Sequence, residues 1–69
     1  MPVPTYFQNA LKSRKGALEK FRSFPRSHRN EYIEWIREAK TELTREKRMA
    51  AAIVWIIEGK SRNWKYERT

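Results

Sequence analysis

Nine consecutive apolar residues, Met49 to Ile57, dominate a chain of only 69 residues. A membrane-spanning helix needs about twice that length, so the run predicts a packed helix rather than a span. Met49, Ala52, Ile53, Ile56 and Ile57 share one helical face, while Val54 and Trp55 fall outside it. A helix that is apolar nearly all round is either central in its domain or part of an interface. The rest of the chain must therefore cover it, and Trp55 is the residue expected to be left over. It would then meet a second chain, or Trp64 and Tyr66 of the tail.

The covering material is sparse. A chain of this size forms one domain at most and buries only about 60% of the surface its unfolded form exposes. There is no Cys, which removes disulfides, Cys-ligated zinc and a thiol nucleophile together. There is no Asp and one His, His28, so neither a metal site nor a catalytic triad is legible. Glu, Lys, Arg and Ala are abundant and β-branched alternation is missing, which predicts an all-α fold. MPVPTYFQ at the N-terminus has neither the basic nor the apolar region of a signal peptide, so a cytoplasmic protein is expected.

Periodicity and breakers divide the chain into a small bundle of about four short helices, near 4–12, 14–23, 28–41 and 45–58. Pro4 suits the first turn of the first, whose face is Tyr6, Phe7, Ala10 and Leu11. Ser13 is placed to cap the second, which carries Ala17, Leu18 and Phe21 but also Gly16 in its interior. Pro25 breaks the chain, and Ser27 is placed to cap the third. Tyr32, Trp35, Ile36, Ala39 and Leu43 then lie within an arc of roughly 100°, a core stripe. A single helix from His28 to Gly59 would be about 48 Å long, too long to cover, so a break near Thr41 to Thr44 is expected. Thr44 is the cap this reading favours, and Gly59 is a natural left-handed terminator. Residues 1–69 read as one helical domain, with 60–69 a basic tail, docked or frayed.

Charge is unevenly spread. The formal net charge is +8. Lys12 to Arg29 carries seven basic residues against Glu19 alone, Asn30 to Gly59 is nearly balanced, and the tail is basic again. Such a surface attracts polyanions. Arg14, Lys15, Lys20 and Arg22, with Lys65, are the candidate phosphate contacts, and Trp64 or Tyr66 the candidate stacking residues. Against this, the third and fourth helices are charge-balanced and neither resembles a recognition helix.

A second candidate site lies at the expected break. Lys40, Thr44, Arg45 and Arg48 recur at helical spacing, so an anion could be held by Arg45, Arg48 and the free N–H groups of the fourth helix. The plainer reading has Thr44 capping the helix while the arginines pair with Glu31, Glu38 or Glu42 and stack on Trp35. Tyr32, Trp35, Ile36 and Ala39 read as core rather than as a stacking platform. Glu31, Glu34, Glu38 and Glu42 are interleaved with basic residues and read as a solvated face. No Gly-rich phosphate loop is present, with Gly16 and Gly59 the two glycines.

From Phe21 to Gly59 the sequence resembles the YdeI/OmpD-associated proteins, also called the bacteriocin-protection or OmdA-like family. The resemblance rests on Phe21, Pro25, Ser27, Arg29, Tyr32, Trp35, Ile36, Ala39, Lys40, Thr44, Arg45, Arg48 and Gly59. Pro4, Ala10 and Leu11 also fit the family's opening helix. It implies a small helical module, of the type that often forms the C-terminal half of a longer protein opening with a β-rich domain. It also implies a link to resistance against bacteriocins and cationic antimicrobial peptides, and by name to an outer-membrane porin. No catalytic residues and no cofactor come with it. The expected function is thus a non-catalytic interaction module with a protein partner. A homodimer through the fourth helix and a small nucleic-acid-binding protein are the alternatives.

Overall fold

The computed structural model describes residues 2–62. Four helices follow one another: α1 (Thr5–Lys12), α2 (Ala17–Ser23), α3 (Arg26–Arg37) and α4 (Glu42–Ile57). The described residues contain no strand, so the fold is a small all-α one. None of these helices is long and apolar enough to cross a membrane.

The longest helix, α4, packs against each of the other three, which is the central place, one of the two that its apolar run allowed. It contributes Ala52, Ile53 and Ile56 to the core. Phe7 and Leu11 come from α1, Ala17 and Phe21 from α2, and Tyr32, Ile33 and Ile36 from α3. Phe21 sits at the middle, edge-on to Phe7 at 5.3 Å and to Tyr32 at 6.4 Å between ring centroids. Burying each such large side chain contributes about 1.5–3 kcal/mol, and the edge-to-face pairs add to it.

Helix starts differ from expectation, each for a local reason. Ser13 does not open α2; its Oγ donates to the Ala10 carbonyl at 2.6 Å, closing the end of α1. The chain then turns through Arg14 and Lys15, and Gly16 becomes the N-cap of α2 at φ 84°, a left-handed conformation natural to glycine. The glycine expected to weaken the interior of α2 therefore stands outside it. Ser27 lies within the first turn of α3, whose N-cap is Pro25. The break between α3 and α4 is present, but Thr41 is the cap rather than Thr44. Its extended backbone (φ −122°, ψ 157°) lets Oγ1 accept from the Thr44 N–H at 3.1 Å. Thr44 is instead a first-turn partner whose Oγ1 accepts from the Thr41 hydroxyl at 2.9 Å.

Those shifts alter the expected core stripe. Because α3 ends at Arg37, Ala39 falls in the turn and is only half-buried. Leu43 passes to the first turn of α4 and is 62% exposed. Ile33 replaces them in the core at 1% exposure.

Gly59 terminates α4 as expected. At φ 79° its N–H reaches the Ile56 carbonyl (2.9 Å) and the Lys60 N–H reaches Trp55 (2.8 Å), the paired bonds of a Schellman motif. The buried Tyr32 hydroxyl then donates to the Lys60 carbonyl at 2.5 Å, tying the end of α4 back onto α3.

Candidate functional site

The candidate hinge residues are positioned by the α3–α4 turn, and they do not gather on one point. Lys40 is exposed within the turn. The Arg45 guanidinium lies over the Tyr6 ring of α1 at 4.5 Å. The Arg48 guanidinium lies over the Trp35 ring of α3 at 5.5 Å, and its Nη1 donates to the Trp35 carbonyl at 2.7 Å. That carbonyl is among the last of α3, which have no partner within the helix, so Arg48 closes the helix end. Stacking on Trp35 is thus as the plainer reading expects for Arg48, whereas Arg45 takes Tyr6. The expected pairing with glutamate is not found. Among the described residues neither arginine lies within ion-pair distance of a carboxylate, and the pair present is Lys60 with Glu58 at 3.2 Å. Both of its side chains are well exposed, so it contributes little.

Trp35 is the hub of this region. Trp55, expected to be left over, stacks on it with centroids 5.5 Å apart and planes at 20°. The Arg62 guanidinium covers it at 4.6 Å. Arg62 also lines a shallow recess with Glu31, Glu34, Trp35 and Glu38, so three carboxylates of the expected solvated face surround a cation supplied from beyond Gly59. No motif pointed to Arg62, because its partners lie far away along the chain. His28 packs edge-on against Phe24, which in turn stacks on Tyr32, so the imidazole belongs to an aromatic cluster.

The candidate nucleic-acid contacts are dispersed. Arg14 and Lys15 line an open hollow at the α1–α2 turn with Lys12, Leu11, Gly16, Leu18 and Glu19. Arg22 is exposed on α2. Lys20 leans toward the end of α4, where its Cε would stand 3.5 Å from a Cβ at position 59. Trp64, Lys65 and Tyr66 lie outside the described residues.

Exposed apolar side chains fall on α4. Leu43, Val54 and Ile57 are 62%, 45% and 37% exposed, and with the exposed Ala50 they stand at i, i+7, i+11 and i+14. This spacing returns to one side of a helix every two turns, so they form a single outward row. The sequence sets Val54 outside the core face as found, but it puts Ile57 on that face, whereas Ile57 is exposed at the last turn of α4 and joins the outward row.

Four packed helices with an outward apolar row and no strand among the described residues define a small all-α protein with a surface available for contact. The chain matches the family model described as Bacteriocin-protection, YdeI or OmpD-Associated over residues 1–59, and it belongs to that family. No curated protein and no solved structure matches it.

Proposed function

We propose that this protein is a non-catalytic, cytoplasmic helical module that acts by binding a protein partner, in the setting of the bacteriocin protection named in the family description or of the antimicrobial-peptide resistance that the resemblance implies. The observation that carries the reading is the outward row on α4, which leaves Leu43 62% exposed on the helix that organises the core. Apolar side chains aligned on one face of a rigid helix are a common means of protein contact. The arginines of the α3–α4 turn fit a supporting role, because Arg45 and Arg48 are held against Tyr6 and Trp35.

The test is genetic and structural together. Deleting the gene in the native host should lower survival under a cationic antimicrobial peptide, and the wild-type chain should restore it. A Leu43→Asp, Val54→Asp double variant should keep the far-ultraviolet circular dichroism of the wild type and fail to restore survival. Unchanged survival on deletion would overturn the protective role. An intrinsic turnover abolished by Arg45→Ala and Arg48→Ala would overturn the non-catalytic one. Sedimentation equilibrium of wild type and double variant decides whether the partner is a second copy of the chain.

The hollow beside Lys12, Arg14 and Lys15 favours nucleic-acid binding as a second reading. Phosphate contacts there would make affinity fall steeply with salt. Titration with DNA and RNA oligomers at two salt concentrations tests it, and no binding at low salt removes it.

A further inference from the structure

A concave recess of about 220 Å³ lies between the N-terminal segment and the first two turns of α3. Val3, Arg26, Arg29, Asn30 and Ile33 line it, two basic residues and an amide residue beside two apolar ones, and no acidic residue lines it. The Arg29 Nε is buried and has no hydrogen-bond partner. Neither Arg26 nor Arg29 has an ion-pair partner among the described residues. This is the opposite of Arg45 and Arg48, whose guanidiniums lie over aromatic rings.

We propose that this recess is a binding site for a phosphoryl group, with Arg29 and Arg26 as the charged donors and Asn30 as a neutral one. Guanidinium presents its N–H groups in a planar fork that matches the oxygens of a phosphate. The terminal Nη groups of the half-buried Arg29, rather than its solvent-excluded Nε, are the donors a bound oxyanion would meet. Size narrows the ligand further. Pockets for whole drug-sized molecules occupy about 300–1,000 Å³, and this one is smaller. It suits one phosphoryl group, with any remaining part of the ligand outside. Neither the α4 row nor the α1–α2 hollow takes part, so the inference stands apart from both functional readings.

Amide NMR shifts of the full chain, followed during titration with inorganic phosphate at constant ionic strength, test the proposal. O-phosphoserine is the second probe. The expected result is saturable shifts centred on Arg26 to Ile33. Arg29→Gln should weaken binding about tenfold, the loss of one charge-assisted hydrogen bond. Lys47→Gln removes the same charge from the exposed side of α4 and should leave the affinity unchanged. If Arg29→Gln does not fold, Arg26→Gln takes its place with the same expected loss. Tighter binding of O-phosphoserine would assign the site to a phosphorylated ligand, tighter binding of inorganic phosphate to the free ion, and each supports the proposal. Shifts that do not saturate, that centre on Lys12 to Lys20, or that weaken equally in the Arg29 and Lys47 variants would overturn it.

Discussion

Around the α3–α4 junction, helix ends are closed by side chains and by glycine geometry. Thr41 caps the start of α4, Arg48 takes a terminal carbonyl of α3, and Gly59 closes α4 before Tyr32 fastens Lys60. The starts of α1, α2 and α3 are different. Their N-caps are Pro4, Gly16 and Pro25, none with a side-chain hydrogen bond, and basic residues crowd the segment between them. The first turn of α3 holds Arg26 and no acid, the unfavourable sign for the positive end of a helix dipole. The lesson is one of allocation. At the α3–α4 junction Thr41, Arg48 and Tyr32 spend their polar groups on the fold, whereas at the start of α3 Arg26 and Arg29 have no ion-pair partner among the described residues.

The comparison can be broken most severely at the centre that both regions share. Phe21→Ala removes a ring packed against Phe7 and Tyr32 and should cost about 3–5 kcal/mol, a large part of what a small domain has. Urea unfolding should show a much lower midpoint or no folded baseline. A midpoint within the error of wild type would mean that the two regions do not share this core.

Next in size come the ties of the C-terminal region. Gly59→Ala forces a side chain into left-handed backbone and should cost about 1–2 kcal/mol. Gly16→Ala carries the same backbone penalty, since an added Cβ there meets nothing within 4 Å. A larger loss at Gly59 than at Gly16 would show that the tie to α3 adds to the backbone term. Tyr32→Phe leaves the Lys60 carbonyl without its donor and should cost about 1 kcal/mol, a fall of roughly 4–8 °C in melting temperature.

Capping gives the finest test. Thr41→Ala should cost about 1 kcal/mol in urea unfolding. Ser27→Ala, which removes no cap, should stay within about 0.5 kcal/mol of wild type. Equal losses at the two positions would erase the difference between capped and uncapped starts.

Much of this architecture was legible because it is local. Pro25 and Gly59 act through their own backbone preferences, so the breaks they impose could be read residue by residue. The caps could not, because Ser13, Ser27, Thr41 and Thr44 are all chemically suited to the role. Which one serves depends on where the neighbouring helix packs. Leu43 continued the apolar period of α3 on paper, yet α3 stops at Arg37 and the residue faces outward from α4. Of the candidate site residues, Arg48 was rightly linked to Trp35. Arg29 stood out only as part of the resemblance, since nothing in its spacing shows that its Nε is buried without a partner.

Taken alone, the amino-acid sequence determined the helical class and the basic excess of the first third, narrowed Met49 to Ile57 to a central or interfacial helix, and carried the resemblance to the family. The class, the place of that run and the charge excess follow from short-range periodicity, from single-residue backbone preferences or from composition, and the resemblance from the matching residues between Phe21 and Gly59. Tertiary structure alone decided that Trp55 stacks on Trp35, that Arg45 and Arg48 go to different rings, and that Arg26 and Arg29 face a recess without a carboxylate. The physical reason is that a cation's partner is set by distance in space. An arginine has the same charge and reach wherever it stands in a sequence, and only packing decides whether a ring, a carbonyl or an empty recess lies within that reach.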